Sequence, residues 1–340
     1  VKVSFIIVTY NGGENLSFLL EDLKNQSYPH KKIEILLVDS NSTDNTKEIM
    51  NKFLHSNNTF KNIKILDNYK KILPCGWNIA LKEATGDIIL RVDAHSRLPK
   101  DFIEKNVINI KVGEKIVGGQ RISIIDEKSN WQRLLLQAET SIFGSGIAKY
   151  RRKRKSEYVN TLAHAAYSRE VFDTVGNYDE RLARTEDNEI HYRMKKAGYK
   201  FLLDPSVISY HNARNKLSKM CKQKFLNGYW IGLTIGVQPK CFSLYHFVPL
   251  IFVLSLIAVI IVSINFSNRL LLSLMIPYIS VMLLITVKVI IDNKFYWQVI
   301  LLPFILLLLH LSYGFGTVTG IINLPFWLKN NKEISNVLRE

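Results

Sequence analysis

The sequence predicts an α/β chain: a mostly parallel sheet with helices on both faces, followed by membrane-crossing helices. Three observations carry this. Short β-branched apolar runs alternate with amphipathic helical stretches from Val1 to Asp93. Polar and acidic residues stand where those runs stop, at the sheet edge where open α/β sheets bind ligands. Charges, dense up to Lys240, become sparse beyond it.

Val1–Thr9 (VKVSFIIVT) is short, apolar and β-branched, as a strand buried on both faces should be. Tyr10-Asn11-Gly12-Gly13 is a turn. Glu14–Gln26 carries Leu16, Leu19, Leu20 and Leu23 on one helical stripe. Lys32–Asp39 is a second strand, Asp44–Phe53 a second helix and Asn62–Asp67 a third strand. Pro74–Ala84 is a helix stopped by Gly86, and Asp87–Asp93 is a fourth strand. A dinucleotide fold would need G-x-G-x-x-G after the first strand, and the turn reads Y-N-G-G-E-N instead.

Lys115–Ile125 is a strand interrupted by Gly118-Gly119, where something approaches the backbone closely. Trp131–Ala148 is helical and leads into the basic run Tyr150–Lys155 (YRRKRK). Such a run suits a solvated loop or a contact with anionic lipid headgroups. Tyr158–Tyr167 reads as a strand and Arg169–Val175 as a helix ended by Gly176. A helix opens at Thr185-Glu186-Asp187 and runs to Ala197. Tyr199–Asp204 and Ser206–His211 read as closing strands.

Lys and Arg number 45 against 29 Asp and Glu, a formal net charge of +16. That excess suits an anionic partner: nucleic acid, anionic lipid or a phosphorylated substrate. Cys75, Cys221 and Cys241 are scattered and odd in number, which disfavours a disulfide framework or a zinc site. VKVSFIIVTY is too short for the apolar core of a signal peptide, so the first part of the chain is expected in the cytosol.

Phe247–Ile264 and Leu270–Val287 are charge-free and long enough to span a bilayer, and Phe295–Leu328 contains a third apolar core. Gly314, Gly316, Gly320 and Pro325 predict a broken or re-entrant end to that third segment. The positive-inside rule puts Lys216, Lys219, Lys222, Lys224 and Lys240 in the cytosol. The tail holds Lys329, Lys332 and Arg339, so two spans satisfy the rule better than three. The expected organisation is a domain over residues 1–240, a membrane region over 241–328 with two or three spans, and a basic tail over 329–340.

Two clusters carry chemistry. Asp93 and His95 stand two positions apart beyond a strand end and could turn onto one divalent cation. Carboxylate plus imidazole suits Mn²⁺ or Mg²⁺ with phosphate as co-ligand, although D-x-H also fits an ordinary polar loop. Glu186 and Asp187 open a helix. Capping accounts for acids there, and the same carboxylates suit a general base.

Residues 1–240 resemble family 2 glycosyltransferases of the GT-A fold, and more closely the succinoglycan-type glucosyltransferases of bacterial polysaccharide assembly. The matching stretches are FIIVTYNGGENL, LLVDSNSTDNT and PCGWNIALKEATGDIILRVDAHS. Val117–Gly119, FGSG at Phe143, REVFDTVGNYDE and RTEDNEIHYRMKKAGYK complete the set. The likeness extends into the membrane tail.

The resemblance implies a role for each candidate residue. Thr9, Tyr10 and Asn11 line the nucleotide pocket, and Asp39 accepts a hydrogen bond from uracil. Asp93 binds the Mn²⁺ or Mg²⁺ on the diphosphate. His95 is its second ligand or a phosphate contact, and His211 is a further metal or diphosphate contact. Asp187 is the base that deprotonates the acceptor hydroxyl, supported by Glu186.

The implied activity is inverting transfer of a sugar, glucose first among candidates, from a UDP-sugar. The acceptor is undecaprenyl-diphosphate-linked or another membrane-bound glycan of exopolysaccharide or capsule synthesis. The implied location is the cytoplasmic (inner) membrane, multi-pass, with the catalytic domain facing the cytosol. The partners are donor, acceptor and bilayer, not nucleic acid. A processive synthase and a catalytically silent scaffold are the alternatives. Three positions depart from the family pattern. His95 replaces the second aspartate of D-x-D, Gln223–Trp230 lacks the Arg-Trp pair of Q-x-x-R-W, and Asn160 stands where an aspartate is expected before Thr161.

Overall fold

The computed structural model describes residues 1–56, 59–141, 144, 155–265, 269–293 and 295–331. Most of the FGSG stretch, the basic run at 150–154 and the tail from residue 332 lie outside them. The chain divides into two compact units: Val1–Ile124 with Ala148–Asn212, and Ile125–Ile147 with Ala213–Glu340. Ile125–Ile147 and the stretch from Ala213 onward thus group together as the second unit.

The first unit is built on one mixed sheet. Strands β1 (Val3–Thr9), β2 (Ile33–Asp39), β3 (Asn62–Asp67) and β4 (Ile88–Arg91) pair in parallel, in the spatial order β3-β2-β1-β4. They are separated by helices α1 (Gly13–Lys24), α2 (Thr46–Ser56) and α3 (Leu73–Glu83). Beyond β4 come β5 (Ser96–Arg97), α4 (Phe102–Lys111) and β6 (Ile116–Ile124). The sheet is completed by β7 (Glu157–Val159), β8 (Ala165–Ser168) and β9 (Phe201–Asn212), with β8 antiparallel to both β4 and β6.

Every residue of β1 and β2 is buried. Val3, Phe5, Ile7, Ile33, Ile35 and Leu37 face one core with the α1 leucines and with Phe102, Ile103 and Val107 of α4. Ile6, Val8, Leu36 and Val38 face the other, against Trp77 and Ala80 of α3. A strand alternates its side chains, so a sheet covered on both sides needs apolar residues at every position. The continuous apolar runs in the sequence have this cause.

The later strands differ from expectation. The run Tyr158–Tyr167 divides into β7 and β8, which pair with different partners. The two expected closing strands are one strand, β9, that passes through Pro205 and bends where its register to β6 shifts between Gly118 and Gln120. The neighbour expected at Gly118-Gly119 is the backbone of β9. A Cβ placed on Gly119 would lie 1.7 Å from the Val207 carbonyl oxygen. Two short helices, α6 (Arg169–Val175) and α7 (Glu186–Lys196), follow β8 in sequence and add Val171, Phe172, Ile190 and Met194 to the second core.

The second unit is helical: α5 (Asn130–Thr140), α8 (Leu217–Thr234), α9 (Val248–Asn265), α10 (Arg269–Asn293) and α11 (Leu302–Asn330). Among the described residues, Leu244–Ile264, Arg269–Asn293 and Trp297–Asn330 are long and apolar enough to cross a membrane. The broken end expected for the third is not observed: α11 is one helix through Gly314, Gly316, Gly320 and Pro325. These glycines serve packing. A Cβ on Gly316 would fall 2.0 Å from the Phe225 carbonyl of α8, so the two helices meet backbone to backbone.

Gly119→Ala must push β9 off β6. We expect it to lower stability by roughly 1–3 kcal/mol, as overpacking of a filled core does. A lowered melting temperature of the purified protein checks this, and an unchanged one refutes the close-approach account.

Candidate functional site

The carboxyl ends of the parallel strands gather the first group of candidate residues. Thr9 and Asp39 are register partners at the ends of β1 and β2. Asp39 is buried, and its two oxygens accept from the Ser42 N–H at 3.2 and 3.3 Å. Asn11 has a positive φ of 52°. Its side chain accepts from the Thr43 N–H at 2.8 Å, and its own N–H donates to Ser42 Oγ at 2.9 Å. The two loops after β1 and β2 are thus tied together. Tyr10 is exposed, with Lys71 Nζ 5.7 Å from its ring centre. An exposed ring beside a buried carboxylate can stack on and hydrogen-bond one planar base.

The second group lies past β4. Asp93 and His95 share one tight turn, closed by the Ser96 N–H on the Asp93 carbonyl at 3.1 Å. The carboxylate faces partners absent from the sequence reading. His164 Nε2 lies 3.3 Å from Asp93 Oδ2, and Arg121 Nη1 lies 3.9 Å from the same oxygen. His164 is held in turn by Ser209 Oγ at 2.9 Å and Ser96 Oγ at 3.2 Å. Burial alone would raise the Asp93 pKa. The His164 hydrogen bond, with the charges of His164, His95 and Arg121, outweighs it and holds the carboxyl well below the usual carboxylate range.

His211, expected as a further metal or diphosphate contact beside Asp93 and His95, is the register partner of Ser96, the residue after His95. Among the described residues no group of three or more His, Cys, Asp or Glu side chains could hold a metal ion. His211 is buried in β9, with its Nε2 3.4 Å from Ser123 Oγ on β6. It sits within the sheet because β9 runs on to Asn212 as one strand. Asp93 and His95 still offer one carboxylate and one imidazole in a single turn, and the Asp93 side chain is 33% exposed. That donor set fits a hard divalent cation whose other ligands are diphosphate oxygens and water.

The third group opens α7. Thr185 is the N-cap position and makes no side-chain capping bond, and Glu186, Asp187 and Glu189 stand in the first turn, where the helix N-terminus favours acids. Glu189 pairs with Arg193 at 2.7 Å. Asp187 instead meets Arg91, the last residue of β4: Nη2 stands 2.6 Å from Asp187 Oδ1. Arg91 also donates to Tyr178 Oη at 2.9 Å, and its guanidinium lies 4.8 Å from the Trp77 ring centre. Glu186 is buried, and its Oε2 has no hydrogen-bond partner among the described residues. Burial and then the Asp187 charge push its carboxyl well above the usual range, against the pull of Arg91; Asp93 adds a smaller push. The adjacent acids therefore differ in surroundings: Glu186 is buried and pushed toward its neutral form, whereas Asp187 is partly exposed and stands against Arg91.

Arg91, His164 and Arg121 were missed. One signal for Arg91 was present: a cation ending a fully apolar strand, IILR, needs a counter-ion. His164 sat in an apolar run and gave no comparable sign. Thr161, next to the departure at Asn160, contacts His191 Nδ1 at 3.0 Å, and Tyr167 Oη lies 3.0 Å from His191 Nε2.

Burial pushes His191 down to about 4, with Asp187 opposing and Arg91 and Lys195 assisting. A folded pKa below the unfolded one gives stability that is present above about pH 6.5 and lost as pH falls through 4. The loss amounts to about 3 kcal/mol. The melting temperature should fall across this window and fall less in His191→Phe; parallel curves for the two proteins would refute this.

The comparisons with known proteins agree with this arrangement. The model for glycosyl transferase family 2 matches residues 4–176, just over half of the chain. A Methanococcus voltae protein is 28% identical over 326 residues, 94% of this chain and 97% of its own length. It is named dolichyl N-acetyl-alpha-D-glucosaminyl phosphate 3-beta-D-2,3-diacetamido-2,3-dideoxy-beta-D-glucuronosyltransferase. Succinoglycan biosynthesis protein ExoA of Rhizobium meliloti is 29% identical over 232 residues, 67% of each chain. Among solved structures, the mannosyltransferase PcManGT of Pyrobaculum calidifontis, in complex with GDP-mannose and Mn²⁺, superposes with a TM-score of 0.60. It is 16% identical, with 96% of this chain and 87% of that one covered. At that identity the likeness speaks for the GT-A fold.

Proposed function

The chain belongs to glycosyl transferase family 2, and from that membership we propose that it transfers one hexosyl residue from a UDP-sugar to a polyprenyl-linked glycan, with inversion. The observation that carries the reading is the pairing of Asp187 with Arg91 at 2.6 Å, two residues before Asp93 on the same strand. An ionised carboxylate and a diphosphate-side turn are then parts of one structural piece.

In this reading Thr9, Tyr10, Asn11 and Asp39 hold the nucleoside. Asp93 and His95 hold a divalent cation, Mn²⁺ or Mg²⁺, together with the donor diphosphate. When bound, such a cation offsets the negative charge that the diphosphate gains as it leaves. Asp187 accepts the proton of the acceptor hydroxyl. The oxygen bonds to the anomeric carbon as the bond from that carbon to the diphosphate oxygen breaks, and the electron pair leaves with UDP. One base on the face opposite the leaving group gives a single displacement. Glu186, kept neutral, leaves Asp187 as the charged member of the pair. The positive end of α7 favours that charge.

The named acceptor of the Methanococcus voltae relative supports a polyprenyl-phosphate carrier, and ExoA supports a polysaccharide product. The apolar helices and the excess of lysine before them support a cytoplasmic membrane location with the catalytic domain in the cytosol. Glucose is our first candidate sugar, and a domain over residues 1–240 remains our functional division.

Membranes carrying the protein should release UDP from one of a panel of UDP-sugars only when polyprenyl-linked acceptor is added. Release that ignores acceptor refutes the transfer proposed. Asp187→Asn should lower transfer by about 10²–10⁴-fold, the usual contribution of a general base, with donor binding intact. Equal loss of binding and transfer would reject Asp187 as the base. EDTA should stop turnover and Mn²⁺ or Mg²⁺ restore it; full turnover in chelator would remove the cation from Asp93.

A further inference from the structure

Arg91 is a cation in the middle of the sheet, on β4 with β1 on one side and β8 on the other. It is only 5% exposed. Such a group is tolerated only with an anion and hydrogen bonds to satisfy it. Its surroundings do more than satisfy it. Trp77 and Tyr178, both buried, lie with ring centres 4.8 and 5.4 Å from the guanidinium carbon. Tyr178 Oη accepts from Nη1 at 2.9 Å, and Asp187 Oδ1 stands 2.6 Å from Nη2. Tyr178 is itself anchored, because its backbone N–H donates to Asn78 Oδ1 at 2.9 Å.

A planar fork set against two rings and pinned at one nitrogen has one orientation left for the other. Asp187 therefore receives its position from the core rather than from its own helix turn. Its side chain stays 35% exposed, so the carboxylate is open to a hydroxyl from solution, while its buried Oδ1 is in ion contact with Arg91 and makes no hydrogen bond among the described residues.

We propose that Arg91 is a positioning residue for proton transfer: its stacked guanidinium fixes the Asp187 carboxylate against the strand that carries Asp93. This rests on the reading of Asp187 as the base. The guanidinium touches neither donor nor acceptor in this account and acts only through Asp187. A misplacement of about 1 Å in a reacting group costs about 100-fold in rate. Arg91→Met should cause a loss of that order in kcat with the donor KM unchanged. Arg91→Lys keeps the charge without the fork and should recover part of the loss.

The test is a double-mutant cycle in the full chain, in membranes, with kcat, donor KM and melting temperature measured for each protein. If Arg91 acts through Asp187, Arg91→Met costs no further kcat in an Asp187→Asn background. Losses that multiply in the double variant overturn the proposal, as does Arg91→Met with wild-type kcat. Should Arg91→Met fail to accumulate folded, Tyr178→Phe removes the hydroxyl that holds Nη1 and keeps the ring. It should then lower kcat with donor KM unchanged, and unchanged kcat there overturns the proposal. Retained transfer in Asp187→Asn alone is a different failure: it rejects the base reading and this proposal with it.

Discussion

The ion pair of buried Arg91 with half-exposed Asp187 is the constraint on which the first unit's polar centre depends. A guanidinium placed among β1, β4 and β8 loses its water and must be repaid by a carboxylate, hydrogen bonds and aromatic faces. Asp187, Tyr178 and Trp77 supply these from α7, from the loop before it and from α3. One charge therefore ties together elements that are remote in sequence. It also decides the state of the acidic pair. With Arg91 on Asp187, the neighbouring Glu186 is buried with its Oε2 unpartnered among the described residues, and burial and the Asp187 charge push its carboxyl well above the usual range.

The same logic operates at Asp93. His164, Arg121 and His95 surround its carboxyl and keep it anionic despite burial. A carboxylate so held suits the cation role proposed for it. His164 is in turn fixed by hydroxyls on β5 and β9, Ser96 and Ser209. The mixed half of the sheet thus supports a group that the parallel half carries. It requires Gly119, because no larger residue lets β9 pass so close to β6.

The parallel half of the fold was legible in the sequence. β1, β2 and β4 are buried throughout, and such strands announce themselves as apolar runs ended by polar residues; β3, at the sheet edge, is only half-buried. The Leu16, Leu19, Leu20 and Leu23 stripe of α1 is buried as its spacing requires. The mixed half was less legible. β7 and β8 share one apolar run but part to different neighbours, and β9 runs through a proline that reads as a break. Likewise the glycines of α11 read as a helix end. Their cause is the backbone carbonyls they abut, Pro249 of α9 at Gly314 and Phe225 and Tyr229 of α8 at Gly316 and Gly320, which lie far away in sequence. Patterns of one segment report the water or apolar matter around it, but not which partner supplies it.

The sequence by itself determined the α/β class, the three membrane-capable segments and the strand-end residues Asn11, Asp39 and Asp93. These follow from local periodicity and from the rule that ligands meet the carboxyl edge of a parallel sheet. Only the tertiary structure decided which side chains face those residues. It joined Arg91 to Asp187, His164 to Asp93 and His211 to the sheet interior. The reason is physical: a buried charge or imidazole takes its state from neighbours a few ångströms away, and those neighbours lie up to 96 positions distant along the chain.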